Sequence, residues 1–323
     1  MMKFIPLVLV GFSFNVGASN IITGTFEATQ VCPTYASALN QSNPDNLTIE
    51  INTTYPLREI NESSSDWLRI EFPDHQLRWI HSSCGVVTSN KLNSSSCSSV
   101  GMADSHLLAL SSQSGFCETY GFEAGKPECR KLSKSSYQAS HLTLHGLWPN
   151  QDVCGQRYGY CGVKPQSNHC GYAPVTLTPK VTERLKTLMP SFNFGSCLER
   201  HEWNKHGSCQ ALSADDYFTL AMGLVSEVDK SAFGKYLTAH KGETVKLSTL
   251  RDLITESFGA KNAGKVYLGC KNNILVDIFI QLPALIPFNE SLVTLITSAP
   301  DNRNVDFCSA KVVISNFTKE SWL

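Results

Sequence analysis

The chain has 323 residues, a formal net charge of −1 and 12 cysteines. That length fits one large domain, or a large domain with a small one, and the near-neutral balance excludes a polybasic nucleic-acid coat. The charge is uneven: residues 19–104 carry four Lys/Arg against nine Asp/Glu, whereas residues 105–323 carry 22 against 19, so any phosphate recognition in the larger part must be local.

The opening MMKFIPLVLVGFSFNVGASN joins a positive start, a short apolar run and the small residues Val16, Gly17 and Ala18. Pro6, Gly11 and Asn15 break the run below membrane-spanning length, so residues 1–18 are expected to be a secretory signal and the protein to be secreted or periplasmic. No later stretch approaches the about 18 uninterrupted apolar residues of a span. The even cysteine count suits disulfides in an exported chain, and no C-x-x-C pair argues for zinc. Seven Asn-x-Ser/Thr sequons begin at Asn40, Asn46, Asn52, Asn61, Asn93, Asn289 and Asn316. They could carry glycans in a eukaryotic secretory pathway and assign no host.

Residues 19–98 read as a small all-β module. LTIEI (47–51), DWLRIEF (66–72) and LRWIHSS (77–83) have the β-branched and aromatic content of strands, and NQSNPDN and NESSSD are turn-rich separators. The order Tyr55-Pro56-Leu57-Arg58, Asp66-Trp67-Leu68-Arg69-Ile70 and Arg78-Trp79-Ile80 resembles the small bacterial SH3-like modules attached to exported enzymes. Its ligand is not readable. KLNSSSCSS (91–99) has the serine content of a linker.

The larger part, 105–323, mixes helices and strands. TPKVTERLKTLM (178–189) starts on Thr178 with Pro179 at the first helical position. SADDYFTLAMGLVSEV (213–228) opens on Ser-x-x-Asp and carries Tyr217, Leu220, Ala221, Leu224 and Val228 on one stripe. LSTLRDLITESFG (247–259) closes on a terminating glycine. Strands are expected at 141–148, 265–270, 274–282 and 311–317. The mixture implies α+β.

LERHEWNKHGSC (198–209) begins like a zinc-protease helix, but the spacing is H-E-x-x-x-H. On a continuous helix His201 and His206 stand roughly 140° apart and share a metal poorly. Glu202 and His206 are four apart and Lys205 is three from Glu202, so an acid, a base and a cation converge on one face; a salt-bridged surface helix would look the same. HLTLHGLWP (141–149) supplies a second element. There His145 ends a strand-like alternation, with His141, Thr143 and His145 on the face opposite Leu142 and Leu144. Two imidazoles on separate rigid elements suit chemistry in which one takes a proton and the other gives one up. A nearby cation and carboxylic acid suit an anionic transition state.

HLTLHGLWP and LERHEWNKHGSC together resemble the two active-site segments of the ribonuclease T2 family. LALSSQSGFCETYG, KPEC, ADDYF and VYLGC add likeness to its bacterial periplasmic ribonuclease I branch, over about 105–310. The resemblance implies an α+β fold, with an antiparallel sheet packed by helices. It also implies a metal- and cofactor-independent monomeric endoribonuclease, in which the RNA 2′-hydroxyl attacks phosphorus to give a 2′,3′-cyclic phosphate. By motif position His145 and His206 would be the acid–base pair, in either order. Glu202 and Lys205 would stabilise the phosphorane, and His201 would hold phosphate. Trp148 would stack on a base, with Gln113 and Asn150 also placed for substrate. Relatives often carry Asp where Asn150 stands, and an aromatic where Ser112 stands. The resemblance pairs Cys117 with Cys129 and Cys270 with Cys308, while Cys32 with Cys84 would close the module. Cys97 is left with five others, one of which could tie module to enzyme. The competing readings are a secreted binding protein on the same fold and, more distantly, a zinc hydrolase.

Overall fold

The computed structural model describes residues 19–38, 41–43, 45–61, 66–73, 76–91, 97–151, 154, 157–210, 212–301 and 305–322. The expected signal, residues 1–18, lies outside the described residues, as do Asn40 and Asn93. The chain divides into one unit of residues 1–73 and 77–95 and a second of residues 74–76 and 96–323.

The first unit is an antiparallel sheet of β1 (Ser19–Ala28), β2 (Thr54–Asn61), β3 (Trp67–Glu71), β4 (Leu77–His81) and β5 (Gly85–Lys91), in the order β4-β3-β2-β1-β5. In β2, Tyr55, Leu57 and Glu59 are buried while the residues between them are less so, the period-two pattern of a one-sided strand. Phe26, Ile49, Leu57, Ile70 and Ile80 fill the core, and Cys32–Cys84 closes it. The segment 47–51 is not a strand, contrary to its composition; only Thr48 makes an isolated bridge, to Pro33. Asn43 takes both backbone groups of Leu47 with its side chain. Asn52 then turns the chain with φ 63°, which leaves Ile49 buried but unladdered.

The second unit is α+β. In chain order it runs β6 (Ser105–Ser112), α1 (Gln113–Phe116), α2 (Pro127–Lys131), β7 (Leu142–Asn150), α3 (Pro179–Leu188), α4 (Pro190–Phe194) and α5 (Leu198–Lys205). Then come α6 (Ala214–Lys230), α7 (Ala232–Ala239), β8 (Thr244–Lys246), α8 (Leu247–Phe258), β9 (Val266–Lys271), β10 (Ile274–Pro283), α9 (Leu292–Ser298) and β11 (Lys311–Val313). The sheet order is β7-β6-β10-β11-β8, with β9 also on β10. Pairing is antiparallel except where Ile274 meets Val313, a parallel contact between β10 and β11.

Helix α6 packs Tyr217, Phe218, Leu220, Ala221, Leu224, Val225 and Val228 into the core. Ser213 Oγ accepts from the Asp216 amide at its start. Helix α8 stops at Gly259, the glycine at which the sequence ends it, with φ 91° and ψ 148°, an extended positive-φ conformation open to glycine and not a left-handed helical cap. Thr178 precedes α3, yet its side chain makes no capping bond. The strand expected over 311–317 ends at Val313. Ser315 Oγ accepts from the Phe317 amide and donates to Glu118, steering Phe317 onto the Cys117–Cys129 cluster instead of along the sheet.

All twelve cysteines are paired, with no free thiol. Cys32–Cys84, Cys117–Cys129 and Cys270–Cys308 form as expected, joined by Cys97–Cys154, Cys161–Cys209 and Cys170–Cys197. Cys97 pairs with Cys154, and both fall in the second unit, which resumes at residue 96. Such loop closures each stabilise by about 2–4 kcal/mol.

Candidate functional site

The sheet aims His145. Along β6 and β7, Ala109 pairs with Gly146 and Leu110 with Leu144, so His145 is the extra residue of a bulge. A bulge turns one side chain out of the regular alternation. His145 thus sits mid-strand, not at a strand end as its sequence position suggests. Its Nδ1 lies 3.4 Å from Asp277 Oδ1 on β10, and the same oxygen accepts from Ser111 Oγ at 2.8 Å. Ser111 and Asp277 are direct partners across β6 and β10, so the ladder itself assembles this support. His141, expected on the same face as His145, precedes the strand and stacks on Tyr137 at 4.2 Å.

Helix α5 brings the second set. Glu202 is buried, and its Oε2 accepts from Trp148 Nε1 at 2.7 Å. The close approach requires glycine at position 146, because a Cβ there would come within 2.0 Å of Glu202 Oε2. Trp148 neighbours both histidines: its ring centroid is 5.2 Å from that of His145, edge-on, and 5.4 Å from that of His206, near-parallel at 24°.

Helical phase does not keep His201 and His206 apart, as their spacing on a continuous helix implies: α5 ends at Lys205, and His206 has φ −107° and ψ −51°. Freed from the helical phase, its ring stands 6.1 Å from that of His201. Donor atoms of His201, Glu202 and His206 lie within 4.8 Å of one another, close enough to hold an ion. Against this, one Glu202 oxygen is already taken by Trp148, and the Lys205 cation acts on all three groups.

The electrostatics separate the two histidines. Burial disfavours the charged form of His145, but the Asp277 hydrogen bond and the negative charges of Glu202 and Asp277 outweigh it and raise its pKa. His206 is driven well below the usual range, by burial first and then by Lys205, His201 and His145. Burial, His169, Lys205 and His145 lower His201 to about 4. Glu202 is pushed up to about 7 by burial, against the opposing pull of His145, Trp148 and Lys205. His201 Nδ1 and His206 Nδ1 are buried without a hydrogen-bond partner among the described residues.

His145, Trp148, His201, Glu202, Lys205 and His206 are thus brought together, as the two motifs suggest. Gln113 is buried, with its amide 3.3 Å from Cys117 Sγ, yet it lines the same cleft as His145. Asn150 is not part of the cluster: it pairs with Ser105 at the far end of β7, about five residues, or on the order of 15 Å, from His145. The cleft holds about 400 Å³, bounded among others by Ser111, Gln113, Thr143, His145, Ser191 and Asp277. Sequence reading missed Asp277, although a lone carboxylate inside ILVDIFIQL was a usable signal. It also missed His169, whose ring stacks on His201 at 4.1 Å; nothing in SNHCGY marks that residue.

The sequence model of the Ribonuclease T2 family matches residues 103–293. The chain is 32% identical over 203 residues to Ribonuclease I of Escherichia coli (strain K12), covering 56% of this chain and 75% of that one. It is 29% identical over 131 residues to Ribonuclease 1 of Arabidopsis thaliana, covering 39% of this chain and 54% of that one. Among solved structures, the self-incompatibility associated SF11-RNase of Nicotiana alata aligns with a TM-score of 0.46 at 16% identity, over 66% of this chain and 99% of that one.

Proposed function

Since this chain belongs to the ribonuclease T2 family and is an endoribonuclease of the T2 type, we propose that it cuts single-stranded RNA by internal transphosphorylation, without a metal ion. One observation carries this reading: two imidazoles flank one tryptophan, and their surroundings pull them in opposite directions.

His206, kept neutral, takes the proton of the 2′-hydroxyl as that oxygen bonds to phosphorus. His145, kept charged by Asp277, gives its proton to the 5′-oxygen as the P–O5′ bond breaks. The products are a 2′,3′-cyclic phosphate and a free 5′-hydroxyl. With Nδ1 of His145 turned to Asp277, Nε2 is the nitrogen that transfers the proton. Lys205 stabilises charge growing on the non-bridging oxygens, and Glu202, whose pKa of about 7 leaves part of it protonated near neutral pH, adds a donor there; fixed donors in a buried site act most strongly. His201 holds phosphate. Trp148 fixes Glu202 and offers its face to a base, Gln113 contacts the nucleotide in the cleft, and Asn150 acts at most on an outlying base.

All these groups come from one chain, which suits a monomer. Six disulfides, together with the character of residues 1–18, support export to the periplasm or the medium. Among the described residues no helix is long and apolar enough to cross a membrane. Residues 19–98 would serve as an accessory module beside the catalytic part.

The test is cleavage of RNA in excess EDTA beside an all-2′-deoxy oligonucleotide of the same sequence. RNA alone should be cut, at an undiminished rate, because DNA lacks the attacking hydroxyl. Loss of cutting in EDTA would return the His201, Glu202 and His206 cluster to consideration as a metal centre.

A further inference from the structure

The cleft beside His145 extends to an outer mouth that the chemistry above does not use. Phe116, Tyr120, Lys126 and His169 line it along with the inner residues. Tyr120 belongs to a π-helical turn, Cys117–Gly121, in which the Phe122 amide reaches back to the Cys117 carbonyl; such turns recur at functional positions. The Cys117–Cys129 disulfide pins the turn. Although it lines a cleft, Tyr120 is 47% exposed. Its ring lies near-parallel to Phe116 at 6.4 Å, and the Lys271 ammonium is 5.6 Å from its centroid.

Two lysines and two imidazoles line the way from the reacting centre to this mouth. Lys205 acts on His201 and on His169, His169 stacks on His201 at 4.1 Å, and Lys126 acts on His169 from the rim. The two carboxylates lining the cleft do not oppose them freely. Asp277 is engaged by His145 and Ser111, and buried Glu128 accepts from Ser196 Oγ. Lysines at both ends of a run of polar rings, with a half-exposed aromatic ring beside the outer one, are the chemistry that tracks a single-stranded nucleic acid.

We infer that this mouth is a further RNA subsite, one nucleotide beyond the two that flank the reacting bond, in which Lys126 and His169 hold the phosphate and Tyr120 stacks the base. The inference rests on the ribonuclease reading above and says why longer RNA should be the better substrate.

The test uses two substrates with a single ribose each, so that only one bond can be cut. One is a dinucleotide; the other adds a deoxynucleotide at each end. The wild-type protein should cut the longer one with a kcat/KM about tenfold higher, most of it in KM. Tyr120→Ala and Lys126→Ala should each remove most of that advantage and leave the dinucleotide unchanged. Lys126→Ala should also flatten the dependence of log KM on log salt for the longer substrate by about 0.7, the loss of one single-strand phosphate contact. No length advantage in the wild type, or equal loss on both substrates in the variants, would overturn the subsite while leaving the ribonuclease reading intact. A wild-type protein that cuts neither substrate would sink that reading, and the subsite with it.

Discussion

His145 and His206 face the same tryptophan ring from 5.2 and 5.4 Å, but the regions that hold them are built on opposite principles. On the strand side, a bulge turns His145 toward a carboxylate that is itself fixed by Ser111 from the neighbouring strand. On the helix side, His206 follows the last turn of α5 into a buried setting where burial, then Lys205, His201 and His145, disfavour its charged form. One region offers an anionic partner and the other repels a proton. The pKa values of identical side chains are thereby moved in opposite directions, the condition under which a single fold can run acid and base chemistry at one pH.

The most forceful way to break this comparison is to remove its members. His145→Ala and His206→Ala should each lower kcat by about 10²- to 10⁴-fold, the range for a general acid or base. The double variant should be little worse than either single one, because the two act as a unit. Glu202→Gln, which cannot supply a proton in the same way, should cost about a hundredfold in kcat with KM nearly unchanged.

Asp277→Asn sharpens the contrast instead of abolishing it. Removing the anion lowers the pKa of His145, and the alkaline limb of the pH–rate bell reports loss of the proton from the acid. That limb should therefore move to lower pH while the acidic limb, set by His206, stays in place. The rate at the optimum should fall by roughly tenfold. A shift of the acidic limb alone would mean that the roles are exchanged.

The smallest effect is on stability. Glu202 has a folded pKa of about 7, above its ordinary value of 4.5, so folding favours its protonated form. That contribution is present at low pH and is lost as pH rises from about 4.5 through about 7. Glu202→Gln should consequently raise Tm at pH 8 by about 2–4 °C, the shift that about 1 kcal/mol gives in a domain of this size, and change it little at pH 4. Thermal melts at the two pH values check this. A variant less stable than the wild type at pH 8 would show that the carboxylate is favoured in the folded state.

Much of this was open to sequence reading, for identifiable reasons. Helix α6 has both a capping serine and an apolar stripe, so local propensity and packing agree on it. The pairing of HLTLHGLWP with LERHEWNKHGSC foretold which side chains would meet. What stayed hidden depends on contacts distant in sequence. Asp277 lies 132 positions from His145 and reaches it only through the β6–β10 register. The bulge at His145 shows only when β6 is laid beside β7. The 140° separation expected of His201 and His206 does not arise, because a helix end cannot be placed to the residue from spacing alone, and one residue past Lys205 is enough to bring His206 back beside His201. In the first unit, LTIEI has strand composition, but Asn43 and Asn52 take its flanking turns. Side-chain hydrogen bonding there outweighs β propensity.

The central claim is that the strand-side histidine rests charged and the helix-side histidine rests neutral. It is tested most directly by following the imidazole C–H resonances of the free protein by NMR across pH 4 to 9, assigned with His145→Ala and His206→Ala. The account predicts that His145 titrates above the ordinary histidine value of about 6.5 and His206 below it, with Asp277→Asn closing the gap from the His145 side. The reverse order, or two coincident titrations unmoved by Asp277→Asn, would contradict it.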